Sequence, residues 1–90
     1  MELLKITQAE YVEKYKIKVS FSDGFSAIVD LKDKIFSDHR KVFKKLQNID
    51  FFRSFSRNRW TIEWDNGVDL APEFLHELAT KQNRKATAAV

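Results

Sequence analysis

Glu73 and His76 stand three residues apart, the helical spacing at which a carboxylate and an imidazole can share a divalent metal. Such a site needs a second pair of the same kind, and the sequence holds none, so the two read as a Glu and a His on a helix surface. The other histidine, His39, falls on an apolar stripe, where a partly buried imidazole is expected rather than a ligand. Asp65 and Asp69 could frame a cleft, but a hairpin loop and a helix start account for both. There is no cysteine, which excludes a disulfide framework, a thiolate metal site and a thiol nucleophile, and fits a reducing, cytoplasmic setting. The two glycines lie 43 positions apart, so there is no Gly-rich phosphate loop, and no serine sits in a nucleophile elbow. These features point away from catalysis, and no metal or cofactor is expected.

Charge gives a second kind of chemistry. Residues 1–62 carry 13 Lys/Arg against 8 Asp/Glu. Residues 63–80 carry five acids (Glu63, Asp65, Asp69, Glu73 and Glu77) and no base. Lys81, Arg84 and Lys85 then restore positive charge, for a net +3. The molecule is therefore dipolar rather than uniformly basic, a pattern that orients a partner more than it coats a polyanion. Arg40, Lys41, Lys44, Lys45, Arg57 and Arg59 form the basic set that would meet phosphates in a nucleic-acid binder. Solvated lysines on an amphipathic helix are the plainer reading of the same residues.

Ninety residues make one domain, expected over 1–80, with a flexible basic tail over 81–90 that has no apolar period. No apolar run approaches the length of a spanning helix, and no charged-then-apolar start reads as a signal peptide. Tyr15–Phe21 alternates apolar and polar residues, which predicts a strand with one buried face. A three-residue loop, Ser22-Asp23-Gly24, pairs Phe21 with Phe25, Val19 with Ala27, Ile17 with Val29 and Tyr15 with Leu31. A two-residue loop would mix the faces, so the longer one is expected, with Gly24 left-handed. The same reasoning at Asp65-Asn66-Gly67 pairs Trp64 with Val68 and Ile62 with Leu70, and turns Trp60, Ile62 and Trp64 toward the core.

Between the hairpins, Phe36, His39, Phe43 and Leu46 are spaced as one face of a helix, with Val42 beside them and Asp38 near its start. Phe51, Phe52 and Phe55 suggest a short helical turn leading into an edge strand. Leu3–Thr7 reads as a further strand. Pro72 and Glu73 suit the first turn of a last helix whose stripe is Phe74, Leu75 and Leu78. The fold class is α+β: a small antiparallel sheet of two hairpins packed against two short helices.

Two stretches, Tyr15–Gly24 with the Val29-Asp30-Leu31 exit and Trp64–Leu75, resemble a family of small bacterial proteins of unknown function. Its pattern is an aromatic-Ser-Asp-Gly hairpin and a late Trp-x-Asn-Gly-x-Asp-Leu-Ala-Pro-Glu-Phe-Leu block. The resemblance spans about residues 3–78. It implies a partner that is another small protein, encoded beside it in a toxin–antitoxin-like pair. Some members carry a fused helix-turn-helix, for which these 90 residues have no room. No catalytic residues come with the family. Two expectations follow: a protein-interaction module, antitoxin-like or regulatory, using Asp69, Glu73 and Glu77; or a nucleic-acid-binding regulator using the basic surface of 40–59.

Overall fold

A computed structural model describes the backbone of residues 3–88 and the side chains of residues 3–83. The chain runs β1 (Ile6–Glu13), β2 (Lys16–Phe21), β3 (Ser26–Asp30), α1 (Lys32–Ser37), α2 (Lys41–Leu46), α3 (Ile49–Phe52), β4 (Ser56–Arg57), β5 (Ile62–Glu63), β6 (Asp69–Leu70) and α4 (Pro72–Ala88). The fold is α+β. Instead of one sheet built from two hairpins, the described residues form two antiparallel three-stranded sheets, ordered β1-β2-β3 and β4-β5-β6.

Both hairpins take the register that the buried faces dictate. Ile17 lies opposite Val29 and Val19 opposite Ala27, and Phe21 N donates to Phe25 O at 2.8 Å to close a three-residue loop. Ile62 lies opposite Leu70, and Trp64 N donates to Val68 O at 2.9 Å. Gly24 and Gly67 sit at φ +91° and +90°. At φ near +90° a side chain is strained, which is why glycine occupies both turns. Asp23 and Asn66 complete these turns by accepting from Phe25 N and Val68 N, two residues on.

The first strand departs from expectation. It spans Ile6–Glu13 and not Leu3–Thr7, and register shifts between Ile6 and Gln8 and between Tyr11 and Glu13 interrupt its alternation. A bulge places two residues against one, so a bulged strand loses the period of two that marks a strand in sequence.

The central helix is two helices. Asp38 is extended (φ −86°, ψ 118°) and its carboxylate accepts from the backbone N of Arg40 at 3.1 Å, from Arg40 Nε and Nη2, and from Lys34 Nζ. A carboxylate that satisfies local donors competes with helix propagation, and here it separates α1 from α2. The break changes the buried face. Ile35, Phe43 and Leu46 enter the core, while Phe36, His39 and Val42 are exposed. Phe36 instead lies edge-on to Tyr15, ring centres 5.3 Å apart. The short helix and edge strand expected after it are present as α3 and β4.

Trp64 is 2% exposed, against Phe52 and Phe55, and its Nε1 donates to Phe52 O at 2.7 Å. Trp60 does not join it: it is 47% exposed, because β5 begins only at Ile62 and Trp60 belongs to the preceding turn. Leu75 and Ala79 bury α4 against the core, with Phe74 and Leu78 half-buried beside them. The helix continues past Lys81, where the sequence alone suggests the chain leaves the fold, and Gln82 docks on Asp30. The rest of the expected tail, side chains of 84–90 and backbone of 89–90, lies outside the described residues. Among the described residues no helix is long and apolar enough to cross a membrane.

Candidate functional site

Pro72 opens α4 without loss, since a first-turn N–H has no intrahelical acceptor, and Leu75 N donates to Ala71 O at 3.1 Å. With Leu75 and Ala79 turned inward, the 3.6-residue period brings Glu73, His76, Glu77, Thr80 and Lys81 to one outer strip. Leu4 closes the strip from the other side, forming an open groove of about 560 Å³. Glu73 and Glu77 are exposed and one turn apart, and Lys81 Nζ lies 3.5 Å from Glu77 Oε1. Leu3, 68% exposed, precedes Leu4 in the chain.

His76 links the groove to the first hairpin. Its Nε2 lies 2.8 Å from Asp23 Oδ2, and its ring meets Phe21 edge-on at 4.7 Å and Phe25 at 5.1 Å. Asp23 also accepts from Phe25 N, and this bond, with the smaller contribution of His76, holds its carboxyl below the ordinary carboxylate range. His76 is thus not the free surface residue suggested by its helical spacing from Glu73. Asp23 comes from 53 residues away and Leu4 from the chain start, so local spacing carries no trace of either.

The other anticipated residues are distributed elsewhere. Asp69 is exposed on β6 and lines a smaller groove of about 210 Å³ with Arg40, Val42 and Asn66, whose Nδ2 donates to Val42 O at 2.9 Å. The acidic set therefore occupies two grooves. The basic set divides as well. Arg40 is engaged by Asp38, which raises the guanidinium pKa and holds the Asp38 carboxyl far below its ordinary range. Lys45 Nζ sits 4.6 Å over the Phe51 ring, and Lys41 and Lys44 are exposed. Arg57 and Arg59 belong to β4 and the turn after it, and Arg57 lines a third groove, on the outer face of the first sheet.

Among the described residues, no group of three His, Asp or Glu side chains could hold a metal ion. The strip on α4 offers two rim carboxylates with Lys81 beside the second, an imidazole held by an aspartate and a short apolar wall. That combination can receive a positively charged, partly apolar segment. Comparison with curated proteins found no match, and neither did comparison with solved structures. Residues 6–81 do match the model of a family described as protein of unknown function, DUF2442, and the chain belongs to that family.

Proposed function

We propose that this protein is a non-enzymatic interaction module, an antitoxin-like or regulatory partner of another small protein, which it holds through the groove on α4. The observation that carries this reading is the pairing of Glu73 and Glu77, one helical turn apart, on the rim of an open groove walled by Leu4. Carboxylates at a solvated rim steer a basic partner and set its orientation, while apolar contact supplies most of the affinity. Asp69, in a separate groove, adds to the negative charge of the same sequence segment. The small-protein pairing that the sequence resemblance implies is the reason for proposing a small protein as the occupant.

Co-expression with a candidate partner, a small protein whose gene adjoins this one, tests the proposal. Tagged chain should retain that protein at low salt and release it progressively as salt rises. The double variant Glu73→Lys/Glu77→Lys should retain it poorly while remaining folded. Equal retention by parent and variant would refute the acidic groove as the docking surface.

A further inference from the structure

Trp60 has its backbone fully committed and its side chain given to solvent. Its N–H donates to Asn58 Oδ1 at 2.8 Å, as does Thr61 N–H, and Asn58 N donates to Thr61 O at 2.8 Å. Its carbonyl accepts from Ile6 N at 2.8 Å. Bonds at both ends of the turn fix the Trp60 backbone, while the residue is 47% exposed and core packing falls to Trp64 instead. A large aromatic on a fixed stretch of backbone, half in water, is placed to serve as a stacking platform.

Its surroundings specify the ligand. Arg57 and Arg59 precede it within three residues, and residues 51–62 contain three Arg and no acid. Arg57 Nη1 reaches Ile6 O at 3.4 Å, so the arginine and the Trp60 carbonyl meet the same residue of β1. Directly beyond it, Thr7, Gln8, Lys18, Ser20 and Ser26 join Arg57 around an open groove of about 570 Å³ on the outer face of the β1-β2-β3 sheet. Among the described residues its one carboxylate, Glu10, lies opposite Lys18 in register. Hydroxyls, an amide and cations line this groove, which suits phosphates and the polar edges of bases better than an apolar peptide anchor.

We infer that Trp60, Arg57 and Arg59, with the adjoining polar groove, form a binding site for single-stranded nucleic acid. An unpaired base stacks on the exposed indole, the phosphates on either side meet the two guanidinium groups, and the next nucleotide lies along the groove. A duplex is disfavoured because its bases are already stacked on one another. The site shares no residue with the groove on α4, and it differs from the lysine face of α2.

Anisotropy of a fluorescein-labelled oligodeoxythymidine and oligouridine of about 12 nucleotides measures this directly. The parent should bind at about 50 mM salt and weaken steeply toward about 200 mM. Trp60→Ala should weaken binding about tenfold or more, with Trp60→Phe recovering part of the loss. Arg59→Ala, at an exposed position with no bearing on the core, should lower the salt slope by about one. Lys41→Glu/Lys44→Glu and Glu73→Lys/Glu77→Lys should leave Trp60-dependent quenching by the oligonucleotide in place. Absence of binding by the parent, unchanged binding by Trp60→Ala and Arg59→Ala, or loss confined to the α2 variant would overturn the inference. Equal competition by polyglutamate would assign the surface to an acidic protein instead. None of these results bears on retention of the small-protein partner, so the two readings fail separately.

Discussion

The Gln82 side chain binds both backbone groups of Asp30, its Nε2 donating to Asp30 O and its Oε1 accepting from Asp30 N, each at 2.9 Å. Leu31 N donates to Tyr15 O, so in the alternating pattern of an antiparallel pair Asp30 turns its own N–H and C=O away from β2, toward the sheet edge. One amide from α4 thereby completes the end of an edge strand that would otherwise offer unpaired groups to another chain.

Gln82→Ala should therefore destabilise the fold by about 1–2 kcal/mol, two ordinary hydrogen bonds at a half-buried position. Urea unfolding checks this. Truncation after Thr80 should cost at least as much, whereas a chain ending at residue 83 should keep the contact. Equal stability of parent and Gln82→Ala would show that the edge is satisfied equally well by water.

The two tryptophans should separate cleanly. Trp64→Ala removes a buried indole and leaves Phe52 O without its donor, and should cost about 3–5 kcal/mol. Trp60→Ala should stay within about 0.5 kcal/mol of the parent in the same urea titration. A large loss at Trp60 would mean that the exposed indole is part of the folding core.

Gly24→Ala and Gly67→Ala should each cost about 1–2 kcal/mol through backbone strain alone. An added Cβ meets nothing within 4 Å at either position, so steric crowding plays no part. Asn, which tolerates positive φ through its own local hydrogen bonds, should cost less than Ala at both sites. Thermal unfolding of the four variants tests this order.

Acid should loosen the junction of α1 and α2. The Asp38 carboxyl is held below its ordinary value of 3.8, first by the Arg40 side chain and then by the Arg40 backbone N–H. A depressed folded pKa stabilises in full above the unfolded value and is lost as pH falls below it. Asp23 behaves with the same sign, chiefly through Phe25 N–H. Asp38→Asn should thus be less stable than the parent at neutral pH and lose less on acidification to about pH 3. Urea midpoints at the two pH values decide the matter; parallel losses in both proteins would contradict it.

What was legible in the sequence was whatever depended on a buried face with a fixed period. Phe21, Val19 and Ile17 set the first hairpin register because a slip of one residue would expose all three, and Trp64 with Ile62 did the same for the second. Asp38 was visible as an acid near a helix start, but not as the residue that ends one helix and precedes the next. That role requires Lys34 and Arg40 to converge on a single carboxylate. Trp60 continued the alternation of Ile62 and Trp64 on paper, yet Asn58 draws the chain into a turn before β5 begins. Of the groove on α4, the placement of Glu73 and Glu77 one turn apart was legible from helical spacing. Leu4 and Asp23 were not, since only the packing of distant segments brings them to the same groove.

The most direct test of the acidic groove is the association rate with the proposed small-protein partner, measured by stopped flow at two salt concentrations. For the parent, association should be fast at low salt and slow markedly as salt rises. Glu73→Lys/Glu77→Lys should reduce the low-salt rate about tenfold and flatten its salt dependence, with a smaller change in dissociation. An association rate and salt dependence identical in parent and variant would contradict docking through Glu73 and Glu77.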